Sequence, residues 1–337
     1  MRSARVDYIT GRFMIVHKNG GPNAEPDSAY AAGNEEETNP SILSLVVKDG
    51  MLRRRQDTDD KIVKGWSIRV FEDKNPIVTM AEDNEYGKEP LANQPIYGHH
   101  LVVVASPDTG KELSTIDVEQ WSNVLVVVQD RLRWLNMQKG VAYVAIYADH
   151  DKALHGTVKM HPHLNIVSFK TVPPTIKDEM RSYQKSQEKM GICPTCYFIG
   201  SDGKDRIILK TESFVSYCPW SPSYPLEFSI TPRRHSTSFA KITQKEIEDL
   251  ALMMRAMLGG LVEITQDVPY SIVFHLAGEK RASRVLHWHV SVYPATKRWS
   301  GMERGFGIHL NDLSPEDAAR MLRAACKKEL VGLIGIE

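Results

Sequence analysis

The sequence predicts an α+β protein built largely from antiparallel sheet, and two observations predict it. Short apolar runs are joined by short turns or by one helix, which is typical of this fold class. The same order of elements also occurs twice. Ser106-Pro107 and Thr231-Pro232 lie 125 residues apart, and His161-Pro162-His163 and His287-Trp288-His289 lie 126 residues apart. Two landmarks at nearly one offset indicate an internal duplication, with chance similarity of two short segments as the alternative.

The first repeat follows a segment without core-like patterning. Residues 17–65 contain a glycine-rich stretch, an acidic run and a basic run, so we expect solvated loops and arms there rather than a binding patch. Apolar runs predict strands at 68–71, 101–104, 141–147 and 164–169. A helix is predicted from Asp117, its N-cap, to Leu135. One face of this helix is apolar and carries Val118, Trp121, Leu125 and Val128.

The second repeat shows the same signals. Strands are predicted at 228–230, 271–274 and 290–292. Thr243 and Glu246 have the spacing of a capping box, and the helix that follows has a methionine-rich stripe, which is typical of a core. The last helix is predicted to begin at Ser314, with Pro315 in its first turn.

Composition and charge exclude several classes of protein. Lys and Arg together number 42, as do Asp and Glu, so the formal net charge is zero and a nucleic-acid binder with a strongly basic surface is disfavoured. No run of 18 apolar residues predicts a membrane span, and the N-terminus lacks a signal-peptide core. Four cysteines, two of them in a close pair, do not make a disulfide framework. We therefore expect a reduced, cytoplasmic protein without a nucleic-acid or membrane partner.

The first His-x-His pair is a candidate for phosphate chemistry. Side chains at i and i+2 of a strand project from one face, so His161 and His163 are expected to point together, with Pro162 turned away. One imidazole can attack phosphorus while the other positions charge or holds a metal. A pair of structural histidines explains the motif equally well.

At these residues the sequence resembles galactose-1-phosphate uridylyltransferase and its relatives in the histidine-triad superfamily. The resemblance is carried by 161–165 and 172–174, and by the segments 10–13, 33–40, 69–76, 98–100, 220–225, 232–235, 287–289, 301–303 and 311–316. It implies duplicated histidine-triad-like units, with a nucleophile in an N-terminal half (1–185) and a zinc site in a C-terminal half (186–337). It also implies a homodimer, because relatives complete their sites with residues from a second subunit.

The resemblance assigns His163 as the nucleophile that attacks the α-phosphorus of a nucleotide donor, with His161 beside it. A covalent nucleotidyl-histidine then passes the nucleotide to phosphate or a phosphorylated acceptor, which predicts ping-pong kinetics. Asn165 stands where the family has glutamine, and its amide can donate to the phosphate. Further substrate-binding roles are expected for His150, Gly156, Asp73, Lys74, Glu303 and Lys297.

Several positions depart from the uridylyl pattern of the family. Lys18 and Asn19 begin the segment that replaces its N-terminal arginines, and His150 replaces an asparagine. Lys74 replaces an acidic residue near the nucleoside. We therefore expect an adenylyl donor that is a phosphate or sulfate anhydride, in an open apolar pocket lined by Phe71 and Ile77. The resemblance includes adenylyl-transferring relatives of this kind, the ADP-glucose phosphorylases and the adenylylsulfate:phosphate adenylyltransferases. A UDP-glucose:hexose-1-phosphate uridylyltransferase is the alternative in this class, and Glu303, where the family contacts the hexose, keeps a sugar phosphate open. A non-catalytic nucleotide-binding sensor is the alternative outside the class.

Cys193 and Cys196 form a CxxC pair. A redox pair requires a strand before it and a helix directly after it, whereas the residues after Cys196 predict a strand and a turn, so zinc is favoured. Zinc needs two more ligands, and the resemblance supplies His235 and His287 for one structural site per chain. Relatives with a carboxylate and three histidines give the alternative set: Glu179, His275, His287 and His289.

A second metal site of the family, beside the nucleophile, is predicted to be absent. Ser28, Ala31 and Thr109 stand at three of its four ligand positions, and only His161 remains. His161 is then expected to be a hydrogen-bonding neighbour of the nucleophile. Cys218 and Cys326 have no cysteine partner in the pattern and are expected to be buried thiols.

Overall fold

The computed structural model describes residues 2–17, 27–49, 51–78, 93–94, 96–151, 161–278 and 285–335. Its helices are α1 (Val118–Asn136), α2 (Pro174–Met190), α3 (Pro194–Tyr197), α4 (Gln244–Thr265) and α5 (Pro315–Ile334). The strands of the first half are β1 (Arg2–Val6), β2 (Phe13–His17), β3 (Ser41–Lys48), β4 (Met51–Arg55), β5 (Trp66–Glu72), β6 (Asn93–Gln94), β7 (His100–Val104), β8 (Tyr143–His150) and β9 (His163–Phe169). The remaining strands are β10 (Ile207–Lys210), β11 (Phe214–Tyr217), β12 (Phe228–Pro232), β13 (Tyr270–His275) and β14 (His289–Pro294).

Eleven strands form one antiparallel sheet in the order β10-β11-β12-β14-β13-β8-β9-β7-β5-β3-β4. Strands β8 and β13 pair at its centre, with Tyr270 opposite His150 and Phe274 opposite Ile146. Outward from this pair, β9, β7, β5 and β3 on one side correspond to β14, β12, β11 and β10 on the other. The predicted α+β class and its duplication are therefore confirmed. The division at residue 185 falls inside α2 and stays a prediction.

Helices α1 and α4 cover one face of this sheet, and the His-x-His pairs lie on the other face, where α2 also packs. Ile146 and Ile272 point toward α1 and α4 and share one core cluster with Leu125 and Leu250. Because neighbouring residues of a strand alternate between faces, Tyr147 lies on the opposite side, beside its pairing partner Asn165. A small three-stranded sheet, in the order β2-β1-β6, belongs to the first half.

The predicted helix starts are confirmed by their caps. The carboxylate of Asp117 accepts from the Gln120 amide, and Thr243 and Glu246 form the complete capping box of α4. Ser314 caps α5 with Pro315 in the first turn. The methionine stripe of α4 is completely buried, as expected for a core.

Two expectations are wrong. Residues 17–65 are not mainly solvated loops, because β3 lies between β4 and β5 and buries Leu43 and Leu45. The surrounding charged runs obscured this apolar strand. The residues after Cys196 form a helical turn and not a strand, because Pro194 starts α3 and a wider turn continues through 198–202. A helix, α2, precedes the pair, so the strand that a redox CxxC requires is still missing.

A buried ion pair fixes the connection into β3. Arg69 of β5 is 2% exposed, and its guanidinium donates to Asp57 Oδ2 at 3.0 Å, to the Thr38 hydroxyl and to two backbone carbonyls. Burial alone raises the pKa of Asp57, but amide donors from Ser41 and Val63 and the Arg69 guanidinium outweigh it, so the pKa is lowered. Arg69 and Asp57 therefore tie the segment before β3 and the segment after β4 to strand β5.

Replacing Asp57 is expected to destabilise the fold strongly. Asp57→Ala leaves the Arg69 guanidinium buried without its counterion, which costs about 3–5 kcal/mol of unfolding free energy. The stabilisation is complete above the unfolded-state pKa of about 3.9 and is lost as pH falls through the lower folded-state value. Urea unfolding at several pH values measures both effects. Asp60→Ala, at an exposed position, is the control, and an equal loss in both variants would contradict the argument.

Candidate active site

The hydrogen bond of His163 fixes its tautomer. His163 begins β9 and is buried, and its Nδ1 lies 2.9 Å from the carbonyl oxygen of His161. A carbonyl oxygen only accepts hydrogen bonds, so Nδ1 carries the proton and the lone pair is on Nε2. This is the tautomer that an Nε2 nucleophile requires.

His161 and His163 lie together against the ring of Tyr30. The Tyr30 centroid is 5.1 Å from that of His163 and 6.5 Å from that of His161, both in edge-to-face geometry. His161 places Nε2 at 2.5 Å from the Ser106 carbonyl oxygen, just beyond β7. The His161 side chain is therefore held by a backbone carbonyl, and its expected role as a neighbour of the nucleophile stays a prediction.

The second His-x-His pair has the same backbone geometry. His287 Nε2 lies 2.9 Å from the Pro232 carbonyl oxygen, and His289 Nδ1 lies 3.2 Å from the His287 carbonyl oxygen. Pro232 is 126 residues after Ser106, the offset that also separates the histidines. The duplication therefore extends to individual hydrogen bonds. The neighbours differ, because Glu179 and not a tyrosine lies beside His289.

Asn165 shares the face of His163 and is oriented by His100. The Ile77 amide donates to His100 Nδ1 at 3.3 Å, which leaves the ring proton on Nε2. That nitrogen lies 3.0 Å from Asn165 Oδ1 and donates to it. The carboxylate of Asp73 lies 3.5 Å from His100. Because its oxygen is engaged, Asn165 has only its amide hydrogens to offer a phosphate oxygen.

Of the other predicted substrate residues that the structure describes, Asp73 lies beside His100, and four make their contacts with groups outside this cluster: Lys74, His150, Lys297 and Glu303. Lys74 donates to the Glu37 carbonyl. His150 has the strand parity of Ile146, which is on the helix-covered face, opposite His163. Glu303 and Lys297 form their own ion pair at 3.1 Å in the second half. Gly156, Lys18 and Asn19 lie outside the described residues.

The expectation that Phe71 lines an open pocket is wrong, and the same expectation for Ile77 stays a prediction. Phe71 is completely buried behind Tyr30, with ring centroids 5.7 Å apart, and cannot line an open pocket. Ile77 is half-buried and packs against the cluster that contains Val78 and Val167. Tyr30, and not Phe71, is thus the aromatic ring that contacts His163.

The predicted Cys2His2 ligands lie together and could hold a metal ion: Cys193, Cys196, His235 and His287. His287 Nδ1 is 3.5 Å from Cys196 Sγ and 3.8 Å from Cys193 Sγ, and His235 Nδ1 is 3.6 Å from Cys196 Sγ. Zinc bonds of about 2.3 Å to sulfur and 2.05 Å to nitrogen give a tetrahedral sulfur–nitrogen edge of about 3.6 Å. The arrangement therefore fits a tetrahedral zinc ion.

Electrostatics in this cluster favours a cation. Burial, and then the neighbouring His235, lowers the pKa of His287 to about 4, so its imidazole is neutral as a ligand requires. Burial and the second thiol raise the pKa of Cys196 to about 12. A metal ion reverses that effect, because a coordinated thiol is deprotonated. The Pro232 carbonyl orients the His287 ring from its other nitrogen, as outer partners of metal ligands do.

The alternative ligand set is a separate cluster. Glu179 Oε2 lies 2.9 Å from His275 Nδ1, its Oε1 lies 3.6 Å from His289 Nε2, and the two imidazoles are stacked. Burial opposes the charge of Glu179, but the hydrogen bond from His275 and the two imidazoles lower its pKa. His287 belongs to the cysteine cluster instead.

Two residues of the site were missed in the sequence. Tyr30 lies in the segment predicted to be loops, and its contact with His163 spans more than a hundred residues. His100 was noted only as part of a matching segment, and no local pattern links it to Asn165. In each case the available signal was an aromatic or imidazole side chain in, or just before, a segment that resembles the family.

No family model matches the chain, but individual relatives do. It is 26% identical over 309 residues to ADP-glucose phosphorylase of Arabidopsis thaliana, covering 90% of this chain and 83% of that protein. It is 27% identical over 271 residues to galactose-1-phosphate uridylyltransferase of Thermotoga maritima, covering 77% and 84%. No helix in the described ranges has the length and apolar composition needed to cross a bilayer.

Solved structures show the same fold. A uridylyltransferase superposes with a TM-score of 0.82 at 23% identity, covering 97% of this chain and 99% of that one. The ADP-glucose phosphorylase of Arabidopsis thaliana with bound ADP-glucose gives 0.75 at 22% identity, covering 96% and 99%. Together with the sequence relatives, these structures confirm the predicted resemblance: the chain is a homologue of the galactose-1-phosphate uridylyltransferase-like enzymes, which transfer nucleotidyl groups.

Proposed function

We propose that this chain transfers an adenylyl group through a covalent intermediate on Nε2 of His163. The observation that carries the proposal is the hydrogen bond from His163 Nδ1 to the His161 carbonyl, which leaves the lone pair on Nε2. The Nε2 lone pair attacks the α-phosphorus, a P–N bond forms, and the P–O bond to the leaving phosphate breaks. The oxygen of an acceptor phosphate then attacks the same phosphorus and releases His163.

The surrounding residues assist this reaction by position and charge. Positive charge develops on the imidazole as Nε2 bonds phosphorus, and the His161 carbonyl stabilises it at Nδ1. Asn165, held by His100, donates its amide to a phosphate oxygen. Tyr30 packs against the ring of His163 and restricts its orientation. Each contribution is available before substrate binds, which is the preorganisation that such a transfer needs.

The relatives and the sequence together favour adenylyl over uridylyl donors. One relative is an ADP-glucose phosphorylase, so ADP-glucose with phosphate as acceptor is the substrate pair that we propose. Lys74 replaces an acid expected to accept from the ribose hydroxyls and adds a cation. A uridylyltransferase relative of similar identity makes UDP-glucose with a hexose 1-phosphate the second candidate.

We further propose one structural zinc ion bound by Cys193, Cys196, His235 and His287. A full set of four protein ligands leaves no position for substrate or water, so this ion stabilises the fold and takes no part in the reaction. We also propose that the protein is cytoplasmic and forms a homodimer. In this dimer Glu303 and Lys297 contact the acceptor.

The first prediction concerns the nucleophile. His163→Ala is expected to abolish the mass increase of one nucleoside monophosphate that ADP-glucose produces, and His161→Ala is expected to slow capture without removing it. Intact mass spectrometry after rapid mixing measures both. His289→Ala is the matched control, because His289 has the same hydrogen bond in the second half. An adduct at the normal rate on His163→Ala would disprove the mechanism, and absence of any adduct in the unaltered chain would favour a nucleotide-binding sensor.

The second prediction concerns zinc. After the protein is desalted into metal-free buffer, it is expected to retain one zinc ion per chain. Inductively coupled plasma mass spectrometry measures this content. Cys196→Ser should lose it, whereas Cys218→Ser, a buried thiol outside the cluster, and Glu179→Gln should retain it. Loss of zinc in Glu179→Gln alone would select the alternative ligand set. Two retained zinc ions per chain would contradict the predicted loss of the N-terminal site.

The third prediction concerns the donor base. Under one set of conditions, kcat/KM for ADP-glucose is expected to exceed that for UDP-glucose at least about tenfold, or about 1.4 kcal/mol. Lys74→Glu should reduce this preference, because it restores the acidic residue, and Lys48→Glu at an exposed position should not. Equal or better turnover of UDP-glucose by the unaltered chain would establish the second candidate instead.

A further inference from the structure

A third group of metal-ligating side chains lies on the helix-covered side of the sheet, opposite His163. Glu112 belongs to the connection from β7 to α1, His150 ends β8, and Asp267 follows α4. His150 Nε2 is 2.7 Å from Asp267 Oδ1 and 3.9 Å from Glu112 Oε2. One atom of each residue lies within 4.8 Å of the others. The proposed transfer reaction uses none of these side chains.

The ligand chemistry of this group points to a borderline divalent ion. Carboxylate oxygens suit manganese, calcium and magnesium, whereas an imidazole nitrogen suits first-row transition ions. One imidazole with two carboxylates therefore favours Mn²⁺ or Zn²⁺. Metal bonds of about 2.1 Å place neighbouring octahedral ligands about 3.0 Å apart, so the observed distances require only small side-chain shifts.

Two buried hydroxyls provide an independent sign of a ligand. Tyr270 and Ser114 are each 2% exposed, and their hydroxyls lie near each other, yet within the described residues neither Tyr270 Oη nor Ser114 Oγ makes a hydrogen bond of good geometry. Even a bond between the two would leave one hydroxyl hydrogen without an acceptor. The Tyr270 ring stacks on His150 at a centroid distance of 4.7 Å. Buried hydroxyls of this kind are normally satisfied by protein or by ordered water.

We propose that Glu112, His150 and Asp267 bind one divalent transition-metal ion, whose coordinated water satisfies the hydroxyls of Tyr270 and Ser114. Glu112 and His150 come from the first repeat and Asp267 comes from the second. The ion therefore links the β7–α1 connection to the end of α4, across the central pair of strands. Its role is to hold the two repeats together, separately from the cysteine site.

Titration with Mn²⁺ tests the proposal, because manganese disfavours the thiolate site. The zinc-loaded full-length chain is titrated while electron paramagnetic resonance measures free Mn²⁺. One site per chain is expected. Asp267→Asn and Glu112→Gln should each weaken binding at least about tenfold, and Mn²⁺ should raise the melting temperature of the unaltered chain but not of these variants. Asp267 has a φ of 71°, and asparagine tolerates this left-handed conformation, so that variant is expected to fold.

Two further variants distinguish the outcomes. Glu119→Gln, at an exposed position of α1, removes the same charge outside the group and should leave Mn²⁺ affinity unchanged. Glu179→Gln should also leave it unchanged. Loss of binding in Glu179→Gln instead of Asp267→Asn, or no bound Mn²⁺ at all, would overturn the proposal. The readout does not depend on nucleotidyl transfer, so failure of either proposal is recognised independently.

Discussion

The antiparallel pairing of β8 with β13 is the interaction on which the rest of the structure depends. It aligns five residue pairs, from Tyr270 opposite His150 to Phe274 opposite Ile146, and joins two repeats into one sheet. Without this pairing, β8 and β13 would each be an unpaired edge strand of a separate sheet, and such strands are prone to associate with other chains. The register of this pairing also determines which side chains of β8 and β13 lie on the same face of the sheet. Both His-x-His pairs are consequently on the face that the large helices α1 and α4 leave uncovered.

The two repeats show how one backbone arrangement supports different chemistry. His163 and His289 have equivalent hydrogen bonds through Nδ1, yet their surroundings differ. Tyr30 lies beside His163, whereas Glu179 of α2 and the His275 ring lie beside His289. Burial, followed by the nearby His275, lowers the pKa of His289 to about 4. The residues around each histidine therefore differ between the repeats, and they come both from segments that cover the sheet, such as α2, and from a neighbouring strand, β13.

Local signals in the sequence predict the helix caps, most central strands and the duplication, and the family resemblance predicts the two histidines that join the cysteine pair. They failed where a contact spans the chain or where neighbouring charges hid an apolar run. Acidic and basic runs flank β3, so the sequence pattern predicts a loop where the structure has a strand. The sequence predicts His150 near the donor phosphates, but the structure places its side chain on the face opposite His163. A shift of one residue along a strand moves a side chain to the other face, and the sequence does not determine this register at the end of β8. Tyr30 and His100 became visible only when distant segments were brought together.

The carbonyl of His161 has a consequence for how such a duplicated protein can diverge. The group that sets the tautomer of His163 is a peptide oxygen, which every amino acid at position 161 would supply. The side chain at this position can therefore change without loss of the hydrogen bond that orients His163. The equivalent position in the second repeat illustrates the result: the carbonyl of His287 keeps its acceptor role, while its imidazole has joined two cysteines. Inheritance of a backbone hydrogen bond thus allowed neighbouring side chains to acquire different chemistry in the two copies.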